Sequence, residues 1–273
     1  MMKLLKLLGG LIYCFSGMGQ TAHIPSTNAY ITAGAYSAHF MDAFSFVSNP
    51  ACLAGLNSFL CGMGVERKWM LASLNSYALA SSFHLDNGGM GILLQRSGDA
   101  DYNEQTGELA YGKNLGLLEM GVRFGYIKTN ASGYPGAGFG YSGFGIRFHV
   151  SENLIAGWAL DLPVFGKAGK INSEKGPQIF NMGFGYEWGT DLFLALQIVK
   201  VSGLPVHVIA SIAYRYGEQF FFSFGLNCST GSPVFQSGWE KNQLCIQLYT
   251  AYEPVLGFSP GLVLLWKGKN KKG

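Results

Sequence analysis

Leu118-Glu119-Met120-Gly121-Val122-Arg123-Phe124-Gly125-Tyr126 alternates without a break: every even-numbered residue is large and apolar, and every odd-numbered residue is glycine or charged. A β-strand sends successive side chains to opposite faces, so this stretch has one greasy face and one face of glycine and charge. The pattern recurs along the chain. Phe144, Ile146, Phe148 and Val150 alternate with Gly143, Gly145, Arg147 and His149. Phe180, Met182, Phe184, Tyr186 and Trp188 alternate with Asn181, Gly183, Gly185 and Glu187. Val206, Val208, Ala210, Ile212 and Tyr214 alternate with His207, Ser211 and Arg215, and Leu244, Ile246 and Leu248 with Gln243, Cys245 and Gln247. Leu192–Ile198 repeats it less cleanly, with Phe193, Ala195 and Gln197 on the second face.

The second face decides what surrounds the sheet. In a soluble sandwich the apolar face turns to the core and the other meets water, as Lys, Glu and Thr. Here the second face is Gly, Asn, Gln and Ser with sparse opposite charges, which suits a confined polar interior. The apolar face then points outward, to lipid. The fold class expected is all-β: a transmembrane antiparallel barrel, placed in the outer membrane of a Gram-negative bacterium. Tyr126, Tyr186, Trp188, Tyr214, Tyr216, Tyr252 and Trp266 fall near strand ends, where interfacial aromatic girdles belong.

About fourteen strands are predicted, at 58–66, 73–84, 88–97, 102–113, 116–128, 138–150, 152–162, 177–188, 191–201, 205–216, 218–227, 231–239, 242–252 and 257–267. Turns carry Asn, Gly and Asp, as in Asp86-Asn87-Gly88 and Gly189-Thr190-Asp191. Thr129–Ala137 and Pro163–Lys175 read as long connections on one side of the barrel, with short turns on the other.

Composition agrees. Of the 273 residues 48% are hydrophobic and 13% charged, against the usual charged share of roughly a quarter. Beyond the N-terminus no apolar run reaches the length of a spanning helix. The net charge of +3 comes from the ends: without Lys3, Lys6, Lys267, Lys269, Lys271 and Lys272 the chain keeps 13 basic against 16 acidic residues. No basic stripe remains for nucleic acid. The expected organisation is a signal peptide at 1–19, an N-terminal segment at 20–57, a barrel at 58–267 and a basic tail at 268–273. Lys3 and Lys6, the apolar run Leu4–Phe15, and Gly17 and Gly19 carry the signal-peptide reading. Tyr13 before Cys14 is too bulky for a lipoprotein signal. The four later cysteines, Cys52, Cys61, Cys228 and Cys245, leave local pairing (52 with 61, 228 with 245) and four unpaired thiols both open.

Residues 20–57 do not alternate. Asn49 and Pro50 form a helix start, with Asn49 as cap and Pro50 in the first position, and Gly55 can end that short helix. The segment precedes the barrel and can fold into its lumen. Gly34-Ala35-Tyr36-Ser37, then Asp42-Ala43, then Asn49-Pro50-Ala51-Cys52-Leu53-Ala54 resembles the N-terminal signature of FadL-type outer-membrane proteins, and is similar to their PorV and PorQ branch from Bacteroidetes-type bacteria. The resemblance covers about 25 residues and departs at Cys52, where the family pattern has glycine. It implies a fourteen-stranded barrel with an N-terminal hatch, to which Asp42, Asn49, Pro50 and Ala51 would belong. It implies one of two functions: passage of small hydrophobic molecules, or docking of exported proteins in type IX secretion.

Catalytic chemistry finds no footing. No serine sits in a Gly-x-Ser-x-Gly elbow, and Gly136-Ala137-Gly138-Phe139-Gly140 lacks a P-loop lysine. The histidines do not fall at metal-ligand spacing. His149 and His207 lie on the inferred lumen face, where Glu119, Glu187 or Asp161 could orient them. The expectation is a lumen polar network of Glu119, Arg123, Arg147, Asp161, Glu187 and Arg215, with no enzymatic activity and no cofactor. Phe220, Phe222 and Phe224 read as an outward stripe; Phe221 and Phe193 could instead mark an apolar track in the lumen.

Overall fold

The computed structural model describes residues 33–167, 177–217 and 219–268. Fourteen strands form one closed antiparallel barrel in which each strand pairs with its sequence neighbours and the first pairs with the last. They are β1 (Leu60–Arg67), β2 (Asn75–Leu85), β3 (Gly88–Gly98), β4 (Tyr102–Asn114), β5 (Leu118–Ala131), β6 (Ala137–His149) and β7 (Leu154–Lys167). The rest are β8 (Ile179–Trp188), β9 (Leu192–Val201), β10 (Val206–Tyr216), β11 (Phe220–Asn227), β12 (Ser232–Lys241), β13 (Leu244–Glu253) and β14 (Gly257–Lys267). Closure leaves no unpaired sheet edge.

Each predicted strand coincides with an observed one to within a few residues. Two connections are shorter than their composition suggests. β5 runs to Ala131 and β6 begins at Ala137, so the connection predicted at Thr129–Ala137 shrinks to the five residues 132–136. β7 continues through Pro163 to Lys167, because the register with β6 shifts between Gly140 and Tyr141. Pro163 faces Tyr141 and Phe165 faces Gly140, which leaves Val164 as the extra residue of a bulge, a place where a missing N–H is tolerated. The proposed signal peptide, Cys14, residues 20–32, 168–175 of the second connection and 269–273 of the tail lie outside the described residues.

The barrel inverts the soluble pattern, as the alternation requires. Phe124 is 64% exposed while Glu119 is 1% and Arg147 2% exposed. The outward face carries Met63, Leu94, Leu109, Phe124, Phe235 and Leu248. Both termini of the barrel share one end, whose turns run from 2 to 4 residues between the strands. Exposed Trp188, Tyr216 and Trp266 ring that end, and Tyr77, Tyr102 and Tyr252 ring the other. A band of outward apolar side chains between two aromatic rings is the surface that a hydrocarbon layer solvates. Among the described residues no helix is long and apolar enough to cross a membrane.

Residues 33–59 pack inside the barrel. Tyr36, Phe44, Phe46, Leu53 and Leu56 form one cluster with inward side chains of β1–β4, β13 and β14, among them Ala80, Leu93 and Val263. Burying a side chain such as Phe46 or Leu53 contributes about 1.5–3 kcal/mol relative to leaving it in water.

The face assignment gives a prediction. Phe124→Arg, near the middle of β5, should lower unfolding stability in lipid vesicles by about 2–4 kcal/mol. The folded wild-type barrel should resist SDS at room temperature and migrate differently after boiling. Loss of that shift in the wild type, with recovery in the soluble fraction, contradicts the outward-apolar barrel.

Candidate functional site

The lumen is built from inward glycines. Gly89 on β3 pairs with Gly112 on β4, Gly112 with Gly121 on β5, and Gly121 with Gly145 on β6. This row of four is a trough across four strands, and the N-terminal segment lies in it. A Cβ at Gly121 would stand 2.4 Å from the Ala51 nitrogen, and one at Gly112 2.6 Å from the Ala54 nitrogen. At Gly89 it would meet the Leu53 carbonyl oxygen at 2.6 Å, and at Gly145 the Asn49 Oδ1 at 2.2 Å. Further along, the Tyr36 ring lies against Gly183 of β8 and the Tyr36 carbonyl against Gly185.

Asn49 and Pro50 start a short helix, as their order predicts, although it is a 3-10 helix, Pro50–Gly55. The Asn49 Oδ1 accepts from the Ala51 nitrogen at 3.0 Å, and its Nδ2 donates to the carbonyls of Ile146 (3.0 Å) and Trp158 (3.3 Å). One side chain therefore caps the helix and fastens it to β6 and β7. Asp42 makes a local turn: its Oδ1 accepts from the Phe44 nitrogen at 2.8 Å and from the Ser45 hydroxyl at 3.0 Å. Gly55 ends the helix and has a second role, since a Cβ there would stand 2.7 Å from an Arg147 nitrogen. Cys52 is buried, and burial pushes its thiol up to about 12. Neither local cysteine pairing is formed.

The charged lumen residues divide into separate groups. Arg123 grips Asp161 with two parallel bonds of 2.6 Å, Nε to Oδ1 and Nη2 to Oδ2, and its Nη1 donates to the Val47 carbonyl at 2.6 Å. Glu108 stands 3.7 Å from the same Nη1 and accepts from the Tyr141 hydroxyl. Arg147 is bonded to Glu119 through Nε, while its Nη1 donates to the carbonyls of Ala35 (2.9 Å) and Ser37 (3.3 Å). His149 approaches the other Glu119 oxygen at 3.2 Å. The two arginines therefore hold both the barrel wall and the segment.

Two members of the expected network sit elsewhere. Glu187 meets no arginine among the described residues. It accepts from the Ser37 hydroxyl, from the Ala38 and His39 nitrogens at 2.8 and 2.9 Å, and lies 2.8 Å from the His39 ring. Arg215 has no carboxylate partner among the described residues. Its guanidinium lies 4.9 Å over the Phe40 ring and reaches the His39 carbonyl at 3.4 Å. β10 lies two strands from β8, and residues 37–40 fill the space between Glu187 and Arg215. His207 faces Asn227 at 3.3 Å, far from Glu119 on β5. Glu108, Glu66, Tyr141 and Tyr249 were not singled out from the sequence. Extending the parity of Gly143–Arg147 and of Cys245–Gln247 would have turned both tyrosines inward.

The segment leaves part of the lumen unfilled. A cavity of about 110 Å3 lies between residues 33–43 and the strands β9–β14 and β1, near the short-turn end. Its apolar side is Phe40 stacked on Phe193 (5.4 Å between centroids, 18° between planes), with Phe221 tilted beside it at 6.3 Å. Ser211, Ser223, Gln236 and Gln247 supply uncharged polar groups, and Arg215, Glu240 and Lys267 stand nearer the mouth. Both readings of the phenylalanine run hold together: Phe220, Phe222 and Phe224 point outward while Phe221 and Phe193 face the lumen. Among the described residues no cluster of metal-ligating side chains is present.

No protein-family model matches this chain, and no curated protein matches it in sequence. Solved structures do match its fold. The TodX monoaromatic hydrocarbon channel, in a deltaS2 mutant, superposes with a TM-score of 0.64 at 10% identity over 88% of this chain and 99% of that one. The P. putida toluene transporter TodX gives 0.58 at 10% identity, over 88% and 98%. A Pseudomonas aeruginosa FadL homologue gives 0.55 at 10% identity, over 89% and 98%. At this identity the likeness is one of fold, the FadL-type barrel.

The seating of the segment gives three predictions. Cys52 should resist a maleimide at pH 8 in the folded barrel, where a thiol of that pKa is ionised in about one molecule in 10⁴, while exposed Cys228 should react. Gly121→Ala, which places a methyl against the Pro50–Ala51 peptide, should unseat the helix and make Cys52 reactive without abolishing the boiling shift. Arg147→Met should cost about 3–5 kcal/mol, because it leaves Glu119 buried without its guanidinium.

Proposed function

We propose that this protein is an outer-membrane barrel that passes small hydrophobic molecules, with residues 33–59 acting as a hatch anchored by Asp42, Asn49, Pro50 and Ala51. The observation that carries this reading is the aromatic-walled cavity that the segment leaves beside β9–β14. A lumen meant only to be sealed would be filled there as it is over β3–β6. A polar diffusion pore, for its part, has no use for a cluster of three phenylalanines beside the lumen. The outward apolar band, the two aromatic rings and the FadL-type fold support placement in the outer membrane. The end with short turns and both barrel termini faces the periplasm in this reading. Passage then requires the part of the segment bordering the cavity to move, and that part is held by Arg147, Glu187 and Arg215 rather than by the glycine trough.

The hydrocarbon channels of similar fold suggest the substrate range: compounds of single-ring size. A cavity of about 110 Å3 is of the order of the ~150 Å3 apolar cavity that takes up benzene, and well short of an extended acyl chain. The docking role implied by the resemblance to PorV and PorQ has no comparable observation behind it. A deletion strain should take up radiolabelled toluene several-fold more slowly, and Phe221→Asp, which puts a charge into the aromatic stack, should fail to restore uptake where the wild-type copy does. Its secreted proteome should be unchanged. Normal uptake together with a depleted secreted proteome would overturn this reading.

A further inference from the structure

Arg215 is the one lumen arginine that lacks a carboxylate among the described residues. Arg123 has Asp161 and Glu108, and Arg147 has Glu119. Arg215 has the face of Phe40 and one long bond to the His39 carbonyl. A guanidinium carries five donors in a planar fork, so most of its capacity is unspent, and it borders the cavity. The acidic neighbours do not supply the missing partner. Asp42 is engaged by the Phe44 nitrogen and the Ser45 hydroxyl, and Glu240 stands at the end of β12 by the mouth, where Lys267 also lies. His39 is turned to Glu187.

Resting on the passage reading above, we propose that the cavity is a binding site for small aromatic carboxylates. The ring lies against Phe40, Phe193 and Phe221, and the carboxylate takes the free fork of Arg215. Two physical arguments support this over a bare hydrocarbon. A hydrocarbon entering the cavity strips water from the guanidinium and returns nothing, whereas an arylcarboxylate returns two charge-assisted hydrogen bonds. The arginine also lies over Phe40, a member of the phenylalanine cluster, so one rigid molecule of single-ring size reaches both features. A long-chain acid could satisfy Arg215 too, but its chain would exceed a cavity of about 110 Å3.

The test is equilibrium dialysis of the full-length barrel in detergent against radiolabelled benzoate, toluene and benzylammonium. These ligands share the ring and differ in charge. Benzoate should bind at least tenfold more tightly than either of the others. Arg215→Gln should erase the preference for benzoate over toluene and benzylammonium, and Arg215→Lys should keep a part of it. The boiling shift on a gel confirms that each variant is folded. Equal binding of benzoate and benzylammonium, or a preference that survives Arg215→Gln, overturns the proposal. Toluene binding without any preference for benzoate sinks the carboxylate site and leaves the passage reading standing; no binding of any of the three sinks both.

Discussion

Inside a barrel this narrow, side chains on one strand crowd those on the next, and a glycine on the strand between lets long groups two strands apart meet. Three such bridges occur in register. Arg123 and Asp161 meet over Gly143, where a Cβ would stand 2.1 Å from the aspartate oxygen. Glu108 and Tyr141 meet over Gly125, and Glu66 and Tyr249 over Gly261, the tyrosine ring occupying the space of the absent Cβ each time. A flat ring covering a glycine also protects the backbone that a bare glycine would expose. Buried charges are costly unless paired and hydrogen-bonded, and the glycine spacer is what lets these pairs form without distorting the sheet.

The same substitution of hydrogen for a side chain decides where the lumen is full and where it is open. Over β3–β6 a row of inward glycines lies under the Pro50–Gly55 helix, and the segment's backbone touches the wall there. Over β9–β13 the inward positions carry Phe193, Gln197, Phe221, Gln236 and Gln247, which hold the segment away from the sheet. The cavity is thus the complement of the trough. One half of the wall fastens the segment through main-chain contacts and the Asn49 amide. Around the cavity the other half meets it through the Phe193 and Phe221 rings and through Arg215, the kind of contact that can be exchanged for a ligand.

Much of this was legible in the sequence, for a definite reason. Period-two alternation is a local property, so Leu118–Tyr126 and its repeats announced strands, faces and an even count without any knowledge of pairing. Asn49-Pro50 announced a helix start by the same local chemistry. Partner choice is not local. Glu119, Arg123, Arg147 and Asp161 could be recognised as inward charges, but which carboxylate each arginine finds depends on strand register and, for Arg123 and Asp161, on the glycine between them. Glu187 and Arg215 show the cost: opposite in charge and both inward, they are kept apart by residues 37–40, whose position no alternation pattern encodes. Pro163 misled for the opposite reason, since its usual meaning as a strand breaker yields to the bulge that accommodates it.

The row Gly89, Gly112, Gly121 and Gly145 has a consequence in time as well as in space. The trough belongs to no single strand; it exists only once β3, β4, β5 and β6 have paired in register. Residues 49–55 precede all four in the chain, so an earlier stretch must wait for a surface made by later ones. Seating therefore runs against the order of the sequence here: the helix can settle only after its successors have prepared its place.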